Sequence, residues 1–168
     1  MEKGINFSFY VWRSFRVMGQ TTTERLHILL ADDDEEDREL FEEFIGQLNI
    51  SATIAIAKNG DDLMKQLSGY AVIPPPHIIF LDINMPKKNG IECLVEIRNN
   101  QKYDGLSVFM FSTSRAQFEI DKSFENGANL YVLKDTFFSL SQDTIEQLLS
   151  GWKKYLQKVS RKNFVLQS

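Results

Sequence analysis

Several residues in this chain have types and spacing suited to cation and phosphate chemistry: the pair Asp32-Asp33, the lone Asp82, the run Ser112-Thr113-Ser114, and Lys134. Adjacent carboxylates repel one another unless a proton or a cation sits between them, and oxygen ligands of this kind suit hard divalent ions such as Mg²⁺. Asp82 follows the apolar run Ile78 to Leu81, and Pro86 and Gly90 force a loop before any helix begins, so its carboxylate is not an ordinary helix cap. A carboxylate in that place binds metal beside the acid pair or attacks a phosphoryl group to form an aspartyl phosphate. The hydroxyls after Phe111 and the ammonium of Lys134 add donors for phosphoryl oxygens, which completes what phosphoryl transfer requires. Asp34, Glu35 and Glu36 read more simply, as acids that cap a helix start and complement its dipole. A helix-loop-helix calcium site beginning at Asp32 is excluded, because its sixth position needs glycine and holds Asp37.

These groups share a surface only if the elements carrying them lie side by side. Leu26 to Ala31, Ala52 to Ala57, Ile78 to Leu81, Val108 to Phe111 and Leu130 to Leu133 are short apolar runs, as expected of strands buried on both faces of a parallel sheet. Between them, apolar residues recur at helical spacing: Leu40, Phe41, Phe44, Ile45 and Leu48; Leu63, Met64 and Leu67; Ile91, Leu94, Val95 and Ile97; Phe118, Ile120 and Phe124. A last stretch, from Ile145 through Trp152 and Tyr155 to Val159, reads as one further helix. Five βα units predict a three-layer α/β domain, in which ligands bind beyond the carboxyl ends of the strands. Every chemical group named above falls at such an end.

Composition narrows the function classes. The chain's 168 residues, 43% of them hydrophobic, suffice for one core. A net charge of −4 offers no general affinity for nucleic acid or anionic membrane, and no apolar run approaches a membrane span. With a single cysteine, Cys93, no intrachain disulfide forms; a cytoplasmic location is expected, and Cys93 reads as a packing residue. Residues 1–25 mix strand-like alternation with arginines and predict a loosely docked or disordered extension; residues 26–159 form the domain, and 160–168 a tail.

The sequence resembles the receiver domain of two-component response regulators, over about Leu26 to Val159. The resemblance rests on Asp32-Asp33, on Leu81-Asp82-Ile83-Asn84-Met85-Pro86 with Gly90, on Ser112-Thr113-Ser114, and on Gly127-Ala128-Asn129-Leu130-Tyr131-Val132-Leu133-Lys134. It implies a flavodoxin-like (βα)5 fold whose parallel five-stranded sheet has the order 2-1-3-4-5. It also implies that Asp82 accepts the phosphoryl group, that Asp33 binds Mg²⁺ directly and Asp32 through water, and that Asp82 and the Asn84 backbone carbonyl complete the protein's ligands. Mn²⁺ would substitute. Lys134 would pair with one phosphoryl oxygen and Ser112 would bond another, with Thr113 secondary, while Tyr131 would be the aromatic switch. The implied partners are a histidine kinase or phosphotransfer protein and a downstream target docking on the face of the fourth helix, fifth strand and fifth helix. The closer likeness is to free-standing receivers without an output domain.

One position departs from that pattern. Asp135 follows Lys134 where the family usually has proline, and it is expected to tether the lysine ammonium away from the empty site. Two other readings compete with the phosphoacceptor. A haloacid-dehalogenase-like phosphatase uses similar residues, but its nucleophile precedes its acid pair and a second aspartate stands two positions later, where this chain has Asn84. Without that general acid, turnover on external substrates is not expected. A degenerate receiver that only binds partners is the other alternative.

Overall fold

The computed structural model describes residues 25–69, 74–157 and 159–166. The expected N-terminal extension lies, except for Arg25, outside the described residues. The strands are β1 (Leu26–Ala31), β2 (Ala52–Ala57), β3 (Ile78–Leu81), β4 (Ser107–Ser112) and β5 (Leu130–Leu133). The helices are α1 (Glu35–Gly46), α2 (Gly60–Ser68), α3 (Gly90–Arg98), α4 (Gln117–Glu125), α5 (Lys134–Ser139) and α6 (Gln142–Ser150). All strand pairs are parallel, in the order β2-β1-β3-β4-β5, as the resemblance implied. No helix among the described residues is long and apolar enough to cross a membrane.

Successive strand side chains point to opposite faces, so the apolar runs serve two cores. Leu29 and Ala31 pack with Leu63, Leu67, Cys93, Leu94 and Ile97 under α2 and α3. Ile28 and Leu30 pack with Phe41, Ile45, Ile145 and Leu149 under α1 and α6. In this second core Phe41 meets Phe80, Phe111 and Phe137 with ring centroids 4.9, 5.5 and 5.8 Å apart, mostly edge to face. Cys93 is fully buried and its thiol is pushed up to about 11, chiefly by burial, which fits the packing role.

Register places the chemical residues. Ala31 pairs with both Ala57 and Leu81, so Asp32 and Asp82 leave neighbouring strands at the same level. Ser112 pairs with Leu133, which sets Lys134 beside Thr113. Asp82 N–H still donates to the Ala31 carbonyl at 2.9 Å, extending the ladder up to Asp82.

The end of the chain differs from expectation in three ways. The last amphipathic stretch is not one helix to Val159: α6 stops at Gly151, and Trp152–Leu156 continue as a 3₁₀ turn. Trp152 is still buried, stacking on His77 at 4.7 Å, and the half-buried Tyr155 meets Phe109 at 5.2 Å, but tighter turns deliver them and Leu156 is left exposed. Second, a separate short helix, α5, begins directly at Lys134. Third, residues 160–166, expected only as part of a tail, are held against the sheet. Phe164 is fully buried, Val165 bridges Tyr131 in parallel, Tyr131 N–H donates to the Phe164 carbonyl, and Leu166 N–H donates to the Tyr131 carbonyl, both at 2.8 Å. The segment thereby covers an otherwise open sheet edge.

Candidate phosphoryl and metal site

The loop after β1 is built to present carboxylates. Asp34 caps α1, its Oδ1 accepting from the N–H groups of Glu36 (2.9 Å) and Asp37 (3.3 Å). Asp32 is fully buried; its Oδ1 accepts from Asp34 N–H at 3.0 Å, and Arg38 holds its backbone carbonyl at 2.9 Å. Asp33 is exposed. On the facing loop, Ile83 and Met85 are buried anchors, Gly90 N–H donates to the Ile83 carbonyl at 3.0 Å, and Asn89 caps α3 with a reciprocal capping box to Glu92. A side chain at position 90 would collide with the Asp82 carbonyl, so the loop closes only over glycine.

Asp32, Asp33 and Asp82 offer carboxylate oxygens that all lie within 4.8 Å of one another. Lys134 is buried among them: its Nζ donates to Asp32 Oδ2 at 2.7 Å and to Asp37 Oδ2 at 2.6 Å, and stands 3.8 Å from Asp82 Oδ1. Phe111 lies beneath, its ring centroid 5.7 Å from Nζ. Above is an open cleft of about 870 Å³, lined by Asp33, Asp37, Asp82, Asn84, Thr113 and Lys134 with four further acidic residues, Asp34, Glu35, Glu36 and Glu39.

Burial raises the Asp82 carboxyl from 3.8 to about 6; the charge of Asp32 adds to that, while Lys134 and the backbone N–H groups of Asn84 and Ile83 oppose it. Asp32 is also raised, first by burial, against the pull of Lys134. Burial disfavours the Lys134 ammonium, but its bonds to Asp32 and Asp37 and the charge of Asp82 outweigh that and raise its pKa. Among the described residues lining this cleft Lys134 is the single cation, set against Asp32, Asp33, Asp37 and Asp82, which leaves negative charge uncompensated. A hard divalent ion fits that donor set: three carboxylates, with Asn84 lining the same cleft.

The sequence-derived set thus converges, with three differences of detail. Ser112 is fully buried and its Oγ accepts from Ser114 N–H at 3.1 Å, so Thr113 rather than Ser112 lines the cleft. The Tyr131 ring is already fully buried, its hydroxyl donating to the Ser114 carbonyl at 2.9 Å. Asp135 does not tether Lys134. It pairs instead with Arg115 at 2.6 Å on the surface, because consecutive residues on a helix point about 100° apart. The carboxylates that hold the lysine are Asp32 and Asp37, and sequence reading left Asp37 unassigned; its only sequence signal is an acid placed one helical turn beyond the acid pair.

Comparison with known proteins agrees with this geometry. The family described as "Response regulator receiver domain" matches residues 28–150. The chain is 33% identical over 110 residues to the response regulator Rcp1 of Synechocystis sp., covering 64% of this chain and 75% of that protein. It is 34% identical over 132 residues to the probable C4-dicarboxylate response regulator DctR of Bacillus subtilis, covering 79% of this chain but 54%, about half, of that relative. Among solved structures, Mn²⁺-bound Rcp1 superposes with a TM-score of 0.61 at 29% identity, over 80% of this chain and 97% of that one. The phosphorylated cyanobacterial phytochrome response regulator RcpA gives 0.62 at 26% identity, over 81% and 97%.

Proposed function

The chain belongs to the response regulator receiver domain family, and from that premise we propose that it is a phosphoacceptor switch in which Asp82 takes a phosphoryl group from a phosphohistidine. The observation that carries this is the convergence of Asp82 with Asp32, Asp33 and Lys134 at adjoining strand ends. An Asp82 carboxylate oxygen attacks phosphorus as the P–N bond to the donor imidazole breaks, and the imidazole nitrogen keeps the electron pair and takes up a proton. Asp33, Asp82 and the Asn84 carbonyl would hold Mg²⁺ directly, with Asp32 behind a water, and the ion would supply charge neutralisation for the transferring oxygens. Lys134 then needs to advance from 3.8 Å to contact a phosphoryl oxygen carried on Asp82. The Ser112 hydroxyl, with Thr113 beside it, supplies the remaining donor. The order of the acid pair and nucleophile, and Asn84 in place of a general acid, favour an acceptor over a turnover phosphatase. Partners would be a histidine kinase or phosphotransfer protein, then a downstream protein, with output carried by a partner rather than by this domain. Incubation with a small acyl phosphate should add one phosphoryl group per chain with Mg²⁺ and none with EDTA, read by intact mass; labelling that ignores the chelator would overturn the metal role.

The switch would run through hydrogen bonds already in place. Ser112 Oγ bonds Ser114 N–H, the Ser114 carbonyl accepts from Tyr131, and the Tyr131 backbone holds Phe164 and Leu166. Drawing Ser112 toward a phosphoryl group shifts Ser114, then Tyr131, then the segment on the β5 edge, biasing the α4-β5 face offered to a target. Beryllofluoride with Mg²⁺ should therefore move the amide resonances of Ser114, Tyr131 and Leu166 as well as those around Asp82. Shifts confined to the neighbourhood of Asp82 would contradict the coupling.

A further inference from the structure

Lys134 has to do two incompatible things in the proposed reaction: it occupies an oxygen of Asp32, which an incoming cation needs, and it must later be free to meet a phosphoryl oxygen on Asp82. The structure shows where it waits. Its Nζ is shared between Asp32 Oδ2 and Asp37 Oδ2, at 2.7 and 2.6 Å, and stays 3.8 Å from Asp82. Asp37 is fixed for this by the first turn of α1, where its own N–H is held by the Asp34 cap at 3.3 Å. Its side chain is 33% exposed, against none for Asp32, and it stands at the lip of the cleft rather than inside it.

We propose that Asp37 is a positioning residue that parks the Lys134 ammonium: it receives the lysine when a divalent cation claims Asp32, and keeps it off the Asp82 nucleophile until a phosphoryl oxygen arrives. This rests on the phosphoacceptor reading and assigns Asp37 a part in it. Two consequences follow from charge alone. Without Asp37, moving Lys134 off Asp32 leaves an ammonium with no carboxylate partner except Asp82, so cation binding is opposed. Without Lys134, Asp37 has nothing to park, and its loss matters only as the loss of one more negative charge near the cleft. Glu36, an exposed acid one residue earlier on the same turn with no bond to Lys134, measures that background.

The experiment is a double-mutant cycle on Mg²⁺ affinity, followed by amide shifts of Asp82 and Asn84 in the metal titration. Asp37→Asn should weaken Mg²⁺ binding about fivefold more than Glu36→Gln does. Asp37→Glu, which keeps the charge, should restore most of the loss. In a Lys134→Met background, Asp37→Asn should fall to the level of Glu36→Gln. Equal losses for Asp37→Asn in both backgrounds would overturn the proposal, since Asp37 would then act on the cation without the lysine. The failure of the underlying reading looks different: the unsubstituted protein would bind no Mg²⁺ at this site and take no label, whereas a labelled protein with a null cycle refutes Asp37 alone.

Discussion

Asp82→Asn should abolish phosphoryl transfer from an acyl phosphate while making the metal-free protein more stable at pH 7.5. The first effect follows because the amide is not a nucleophile toward phosphorus and no other carboxylate takes its place on β3. The second follows from the raised pKa of the buried carboxyl. A carboxyl moved from 3.8 to about 6, chiefly by burial, stabilises the fold fully below its unfolded value, and that contribution is lost as pH rises through about 6. At neutral pH the ionised Asp82 therefore costs about 2 to 3 kcal/mol relative to a neutral group in the same place. Asparagine removes that cost, so chemical denaturation should show a gain of about 2 kcal/mol at pH 7.5 that fades toward pH 4. The pairing of lost labelling with gained stability also excludes unfolding as the reason for inactivity. A variant destabilised at pH 7.5 would mean that Lys134 and the loop N–H groups already compensate the charge.

Divalent cation binding should depend unequally on the two acids after β1. Asp33 is exposed and can turn to the cleft, whereas both oxygens of Asp32 are engaged, one by Asp34 N–H and one by Lys134. Asp33→Asn is accordingly expected to weaken Mg²⁺ binding on the order of a hundredfold and Asp32→Asn about tenfold, the difference between a direct ligand and a supporting one. Protons compete for Asp82, so affinity should also fall as pH drops below about 6. Calorimetric titration of the two variants checks the ranking, and equal losses would refute the division of roles. Saturating Mg²⁺, at about a hundred times its dissociation constant, should add about 2.7 kcal/mol to the stability of the native protein.

The elements that position this site were legible because each left a local signal. Apolar runs marked β1 to β5, Asp34 marked the start of α1, and the Asp82-to-Gly90 loop carried its own turn residues. Strand order came from resemblance, since hydrophobic pattern does not say which strands are neighbours. What sequence reading missed depends on distance or direction. Periodicity carried the last helix past Gly151, because Trp152 and Tyr155 fall at helical spacing although a 3₁₀ turn packs them. Val165 lies far along the chain from Tyr131, and nothing local marks their pairing. Adjacency suggested Asp135 as the lysine's partner, while helix geometry turned it toward Arg115 and left Lys134 to Asp32 and to Asp37, the latter 97 positions away.

The most direct test of the account is to find where the phosphoryl group sits. After labelling with an acyl phosphate and Mg²⁺, borohydride reduction converts an aspartyl phosphate to homoserine, and peptide mass spectrometry locates it. The account predicts one such conversion, at Asp82, absent when EDTA replaces Mg²⁺. Conversion at Asp32, Asp33 or Asp37 instead, or a stable label on Ser112 or Thr113 that survives the reduction, would contradict it.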